Sequence, residues 1–151
     1  MPKFYPLKVK DLYKDTEQCS VIEFDIPEDL KDKFKYKAGQ YLTLRETING
    51  EDIRRSYSLC SSPIDNEWKV AVKEIPDGKF STHVNQFLKK DDTLQVMKPM
   101  GRFGTAISEI PKNYIVFTAG SGITPILSMI KTHLAKEPNS TFKLFYLNRT
   151  V

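Results

Sequence analysis

Cysteine and histidine are scarce in this chain, and long apolar runs are absent. The two cysteines, Cys19 and Cys60, are too few for the four thiolates of an iron–sulfur cluster and too far apart for a zinc or redox pair. The two histidines, His83 and His133, have no partner at metal-binding spacing, so we expect them at the surface or at helix caps. No segment is long and apolar enough to cross a membrane. We therefore predict no metal site and no membrane span.

Charge and composition exclude further classes. The net charge of +4 comes from 23 basic and 19 acidic residues spread along the 151-residue chain, without the stripe or cluster of a nucleic-acid-binding surface. Short basic groups at residues 31–37 and 89–90 suit solvated faces, or a surface for an acidic electron-transfer partner. The first eight residues lack the apolar core of a secretory signal, so we expect a cytoplasmic location.

Most of the chain has the pattern of an antiparallel barrel or sandwich. Residues 5–105 contain short alternating or β-branched runs separated by turn residues. Strands are predicted at residues 7–13, 20–26, 40–47, 53–58, 68–75 and 93–98. Asn49-Gly50 predicts a tight hairpin with positive φ between the third and fourth strands. Residues 81–88 have helical spacing, with Ser81 or Thr82 suited to cap the helix.

After Pro111 the pattern changes to that of a parallel α/β unit. A continuous apolar strand is predicted at residues 114–118, a helix at 124–135 and a second buried strand at 141–147. This order begins a doubly wound nucleotide-binding domain. Two strands form an incomplete sheet with an open edge, so self-association through this part is also expected.

Two residues of the fourth predicted strand suit a ligand that has both a phosphate and a planar ring. Arg55 can make a two-pronged, charge-assisted contact with phosphate. Tyr57 lies on the same strand face by alternation and can cover a ring. Ser58 would point to the opposite face of a regular strand, so the strand must bend or end there. The alternative is an exposed strand without a ligand.

Two glycine-containing turns are further candidates for phosphate binding. Residues 78–82 lie where a loop meets a helix, and their amide groups can donate to a phosphate, although a plain helix cap has the same pattern. Residues 120–125, Gly-Ser-Gly-Ile-Thr-Pro, lie between a strand and a helix as a dinucleotide turn does, with Pro125 in place of the third glycine. A tight crossover without a ligand is the alternative there.

Taken in chain order, Arg55-x-Tyr57-Ser58 and Gly120-x-Gly122-x-x-Pro125 resemble motifs of the ferredoxin-NADP reductase superfamily. The greatest similarity is to reductase components of bacterial multicomponent oxygenases, including the phenylacetate-degradation type, and it covers nearly all of the chain. The resemblance implies a six-stranded, Greek-key FAD-binding β-barrel over residues 1–108. An incomplete NAD(P)-binding α/β domain would follow over residues 109–151.

The resemblance also implies site residues. It assigns the flavin pyrophosphate to Arg55 and the ring face to Tyr57, and it places Ser58, the one catalytic candidate, near flavin N5. The other residues that it assigns to cofactor binding are Val72 and Lys73 beside the ring, Gly78, Lys79, Phe80, Ser81 and Thr82 at the pyrophosphate, and Gly120, Gly122, Thr124 and Pro125 at the nicotinamide end of NAD(P)H. Arg149 would reach the ribose or 2′-phosphate of that nucleotide, or be a solvated charge.

The implied activity is hydride transfer from NAD(P)H to FAD, followed by single-electron transfer to an iron–sulfur domain or an oxygenase component. Two alternatives stay open. One is an enzyme that uses FMN, although the turn at residues 78–81 favours the second phosphate of FAD. The other is a non-catalytic flavin or nucleotide sensor, or an interaction domain, on the same fold.

Overall fold

The computed structural model describes residues 3–148, which form two sheets and three α-helices. The strands are β1 (Phe4–Thr16), β2 (Cys19–Asp25), β3 (Tyr41–Ile48), β4 (Glu51–Ser58), β5 (Lys69–Lys73), β6 (Thr93–Met97), β7 (Asn113–Ala119) and β8 (Thr141–Leu147). The helices are α1 (Lys31–Phe34), α2 (Lys79–Gln86) and α3 (Ile123–Lys136). No helix within these residues has the length and apolar character needed to span a bilayer.

The first six strands form one antiparallel sheet in the order β4-β3-β6-β1-β2-β5. Its two outer strands approach each other, and an isolated bridge between Leu59 and Val70 joins the ends. The sheet therefore curls into a barrel that is almost closed, and the predicted Greek-key barrel is confirmed. Its centre is filled by alternate side chains of the strands, among them Leu7, Leu42 and Val96, and by Phe80 from α2.

The hairpin between β3 and β4 fixes the register of the strand that carries the ligand-binding candidates. Ile48 pairs with Glu51, and the turn residues Asn49 and Gly50 have φ of 51° and 80°. The Asn-Gly prediction is confirmed. Because the turn has two residues, each later residue of β4 has a defined partner on β3, and Tyr57 lies opposite the fully buried Leu42.

The second sheet contains β7 and β8, which are parallel and joined by α3. Helix α3 contacts the barrel through hydroxyl groups: Ser128 Oγ donates to the Ser61 carbonyl at 2.6 Å, and the hydroxyls of Thr132 and Ser62 lie 2.7 Å apart. These bonds hold the middle of α3 against the segment that follows β4. The crossover turn after β7 is thereby brought close to the barrel.

His133 was expected at a surface or a cap, and this expectation is wrong. Its ring is 1% exposed on α3, where Nδ1 lies 2.8 Å from Glu137 Oε1 and Nε2 lies 3.0 Å from the Thr105 hydroxyl. Burial alone would raise the pKa of Glu137, but hydrogen bonds from the Ser108 amide, Ser140, His133 and Tyr114 lower it to about 2. The network joins α3 to the segment that follows the barrel.

Candidate functional site

A cleft of about 820 Å³ lies between β4, β5 and the start of α2. We call it the first cleft, and its lining includes Arg55, Tyr57, Lys73, Gly78, Lys79 and Phe80. It forms where the edge strands β4 and β5 separate. Side chains on the core side of β4, such as Arg55 and Tyr57, therefore face an open space instead of the barrel core. The structure thus brings together Arg55 and the turn at residues 78–81, two of the segments predicted to bind phosphate.

Tyr57 supplies aromatic surface in the first cleft, and the buried Phe80 packs against it. Their ring centroids are 5.9 Å apart with a 30° tilt, and Phe80 is 1% exposed while Tyr57 is half-buried. Burial raises the pKa of Tyr57 to about 12, against the opposing effect of the Arg55 charge. The phenol is therefore neutral at ordinary pH, and Tyr57 offers an uncharged, fixed ring for stacking.

Arg55 is the cation best placed to meet an anion in the first cleft. It shares a strand face with Tyr57, and its Nη1 donates to the Arg54 carbonyl at 2.7 Å. Within residues 3–148 it has no carboxylate partner, whereas the neighbouring Arg54 pairs with Asp52 at 2.8 Å and lies over the Phe4 ring. The remaining N–H groups of Arg55 can therefore bind phosphate.

Helix α2 begins at Lys79, with Gly78 as its N-cap, two residues before the predicted start. The expected capping by Ser81 or Thr82 is wrong: Ser81 Oγ accepts the Ile75 amide at 3.3 Å and donates to the Gly78 carbonyl at 3.0 Å. Among the described residues, the backbone amides of Lys79, Phe80 and Ser81 have no acceptor. Such free amides at a helix start are suited to phosphate.

The turn at Gly78 requires the absence of a side chain. A Cβ there would lie 2.3 Å from Ser81 Oγ and 2.5 Å from Ile75 Cγ1. The backbone can therefore form a tight cradle beside the free amides of α2, as close approach to a phosphate demands. The aromatic face, the unpaired Arg55 and this cradle together fit a flavin nucleotide.

A second cleft of about 640 Å³ lies where the start of α3 faces the barrel. Its lining includes Cys60, Ala71, Lys73, Gly120, Ser121 and Thr124. Ala71, Lys73 and Ser121 also line the first cleft, so the two spaces share a wall. Burial raises the pKa of the Cys60 thiol, which keeps it protonated.

Each glycine of the turn between β7 and α3 has its own role. Gly120 has φ of 51°, a left-handed conformation that favours glycine. At Gly122 a Cβ would lie 2.9 Å from Thr118 Oγ1, so a larger residue would force the Thr118 side chain to move. Thr124 Oγ1 donates to the Ser121 carbonyl at 3.0 Å and steadies the turn.

Several predicted site residues lie outside the linings of these two clefts: Ser58, Val72, Thr82, Gly122 and Pro125. Val72 is fully buried in the core, and Ser58 ends β4, where alternation turns it away from Tyr57. Thr82 lines a third cleft, between the β3–β4 hairpin tip and α2. Arg149 lies outside the described residues. Sequence reasoning missed Ala71 and Ser121, although Ser121 is inside the glycine motif.

Comparison with known proteins agrees with this geometry. A family model described as "Oxidoreductase FAD-binding domain" matches residues 6–104. One component of the 1,2-phenylacetyl-CoA epoxidase of Escherichia coli (strain K12) is 40% identical over 151 residues, which are 99% of this chain and 42% of that protein. The ferredoxin reductase component of 3-ketosteroid-9-alpha-monooxygenase from Rhodococcus rhodochrous is 37% identical over 145 residues, 95% of this chain and 40% of the relative.

A solved structure is also similar. Phthalate dioxygenase reductase, described as modular for electron transfer from pyridine nucleotides to [2Fe-2S], superposes with a TM-score of 0.79 at 29% identity. The match covers 97% of this chain and 44% of that protein. The chain thus spans less than half the length of these relatives, while its barrel and the beginning of an α/β unit follow their fold.

Proposed function

Since the chain belongs to the oxidoreductase FAD-binding domain family, we propose that its first cleft holds FAD, and that the protein passes electrons from NAD(P)H through this flavin to a one-electron acceptor. The observation that carries the proposal is the wall shared by the first and second clefts, formed by Ala71, Lys73 and Ser121. Two ring systems bound in these clefts would be neighbours, as electron exchange between a nicotinamide and a flavin requires.

The first cleft has a donor or surface for each part of the flavin nucleotide. Tyr57, which packs on the buried Phe80, orients the ring, Arg55 binds the pyrophosphate, and the amides at the start of α2 bind it from the other side. When bound, FAD supplies a ring that accepts a hydride and releases electrons singly. The protein needs no general base for this; its residues bind, orient and exclude water.

The second cleft would take the nicotinamide end of NAD(P)H. Gly120 and Thr124 line it on the α3 side, and Lys73 lies on the wall toward the flavin. Ser58 beside flavin N5 and Arg149 at the nucleotide's ribose or 2′-phosphate stay predictions, as does the choice between NADH and NADPH. The division into domains at residues 108 and 109 also stays a prediction; it falls in the segment between β6 and β7.

The proposed acceptor is an iron–sulfur domain or an oxygenase component. The names of the relatives support this class, because they include a ferredoxin reductase component and a reductase for electron transfer to [2Fe-2S]. We further propose a cytoplasmic location, and self-association through the open β7–β8 face, where Ile115, Phe117 and Leu147 are 63%, 71% and 61% exposed.

The proposal is tested by titrating apoprotein with FAD. Arg55→Ala should weaken FAD binding by about 10–100-fold, because it removes a charged phosphate contact of about 1.5–3 kcal/mol. Arg102→Ala is the matched control: Arg102 is an exposed arginine outside the linings of both clefts, so FAD affinity should change little. Equal effects of the two variants would contradict the placement of phosphate at Arg55.

A second measurement separates the oxidoreductase from a flavin sensor. Anaerobic addition of NADH or NADPH to the FAD-loaded protein should bleach the flavin absorption band. A flavin band that NAD(P)H leaves unchanged would favour the sensor.

A further inference from the structure

We infer that Ser128 and Thr132 of α3 are positioning residues for electron transfer, because their hydrogen bonds to the barrel set the distance between the first and second clefts. The inference rests on the proposed function and deepens it. The step that they serve moves a hydride, which is a proton with two electrons, from the reduced nicotinamide to the flavin ring, and leaves oxidised NAD(P)⁺ and reduced flavin. Neither residue lines either cleft, so both act through the position of α3.

The hydrogen bonds between α3 and the segment after β4 have assigned donors. Thr132 Oγ1 donates to the Ser128 carbonyl at 2.6 Å, which uses its only hydrogen. Ser62 Oγ is therefore the donor in its 2.7 Å bond to Thr132. Ser128 Oγ donates to the Ser61 carbonyl at 2.6 Å. The three bonds can form together only with this arrangement of protons.

These groups are removed from water, so their geometry is restricted. Ser61, Ser62 and Ser128 are at most 1% exposed, and Thr132 is 6% exposed. A buried hydroxyl that loses its partner lowers stability, and a hydrogen bond weakens steeply as its distance and angle change. Apolar contacts, in contrast, are non-directional. The hydroxyl contacts therefore fix α3 against sliding and rotation more tightly than an apolar face would.

Both sides of this contact lead directly to the clefts. On the barrel side, Ser61 lines the second cleft and lies four residues after Tyr57, the proposed ring contact. On the α3 side, Thr124 lines the second cleft one helical turn before Ser128, about 6 Å along the axis. Ser121, in the turn that precedes α3, lines both clefts. A shift of α3 at Ser128 would therefore move the wall between the clefts.

The far end of α3 is held independently of these hydroxyls. His133 Nε2 lies 3.0 Å from the Thr105 hydroxyl, and Glu137 Oε1 accepts the Ser108 amide at 2.8 Å. These four residues join α3 to the segment between β6 and β7, and none of them lines the first or second cleft. Loss of a hydroxyl in the middle of α3 should therefore let the helix pivot about its C-terminal end, not separate from the barrel.

The test begins with Thr132→Val, which keeps the shape of the side chain and removes the acceptor of Ser62. When FAD-loaded protein is mixed anaerobically with saturating NADH or NADPH, flavin reduction should be about 10–50-fold slower than in wild type. A misplacement of about 1 Å between reacting groups can cost about 100-fold in rate. FAD affinity should stay within about twofold, since no residue of α3 lines the first cleft. Thr132→Ser, which keeps the hydroxyl, should restore most of the rate.

A binding measurement separates positioning from general damage. Oxidised NAD(P)⁺ at saturation should perturb the flavin absorption band of wild type, and this difference spectrum should be weaker in Thr132→Val because the two rings lie further apart. Thr105→Val is the matched control, since it removes a hydroxyl contact to the far end of α3. It should lower Tm while leaving the reduction rate and the difference spectrum within about twofold of wild type.

The outcomes separate the two levels of the proposal. Ser128→Ala removes the donor to the Ser61 carbonyl and should reproduce the effects of Thr132→Val. Unchanged reduction in these variants, equal losses in Thr105→Val, or no rescue by Thr132→Ser overturns the positioning role. Thermal melts in which both Thr132→Val and Ser128→Ala are unfolded also overturn it, because the hydroxyls then serve stability. Wild type that binds no FAD, or whose flavin neither nucleotide reduces, overturns the proposed function itself.

Discussion

Gly78→Ala should damage both the stability of the protein and its flavin site. Gly78 has φ of −79° and ψ of 90°, which alanine also adopts, so backbone strain contributes little. The added Cβ would instead lie 2.3 Å from Ser81 Oγ, 2.5 Å from Ile75 Cγ1 and 3.0 Å from the Ile75 carbonyl oxygen. Ser81 is 5% exposed and held by two hydrogen bonds, so its hydroxyl cannot simply turn away.

The magnitude follows from three opposing contributions. Overpacking costs about 1–3 kcal/mol, and loss of the hydrogen bonds made by Ser81 adds about 1 kcal/mol. Alanine also lowers the conformational entropy of the unfolded chain, which offsets about 0.4–1 kcal/mol of this destabilisation. The net loss in the free energy of unfolding is therefore about 2 kcal/mol, which lowers Tm by about 4–8 °C for a chain of this size. FAD affinity should fall about tenfold, because the displaced turn carries the free amides of α2.

A double-mutant cycle with Ser81→Ala tests the cause. Removing the hydroxyl removes the atom nearest to the new Cβ, so the double variant should be less destabilised than the sum of the two single variants, by about 1 kcal/mol. Thermal unfolding with and without FAD measures both quantities. A Gly78→Ala protein with unchanged Tm and unchanged FAD affinity would refute the role assigned to this turn.

Two further predictions concern the α/β part. The pKa of Glu137 is lowered to about 2 from an ordinary 4.5. The contribution of Glu137 to stability is therefore fully present above pH 4.5 and is lost as the pH falls toward 2. Urea unfolding between pH 2 and 6 should show this loss in wild type and not in Glu137→Gln. Phe117 lies on the open sheet face and stacks on Phe145 with ring centroids 4.8 Å apart. Phe117→Asp should therefore reduce self-association measured by light scattering. Ile110→Asp should not, because Ile110 is 68% exposed outside the sheet.

Local patterns were sufficient for most of the fold. Alternating or β-branched runs indicated every strand of the barrel, because most of these strands have one face in the core and β-branched residues favour strands. Asn49-Gly50 predicted a hairpin whose geometry is confirmed, since positive φ at both positions selects these residue types. The start of α2 was placed too late, because Ser81 has the composition of a cap but is held by the preceding turn.

The sequence by itself determined the order of the two folding patterns and the family, and it predicted the segments that we propose bind phosphate, because all of these depend on residues close together in the chain. Only the tertiary structure decided that Ala71 and Ser121, 50 positions apart, form one wall between two clefts. The burial of His133 against Glu137 and the exposure of Phe87 near Lys79 are likewise evident only from the tertiary structure. Helical spacing places a residue on a face of its own helix, but the neighbours of that face come from distant segments, and their packing determines which side chains are buried and which are free to bind.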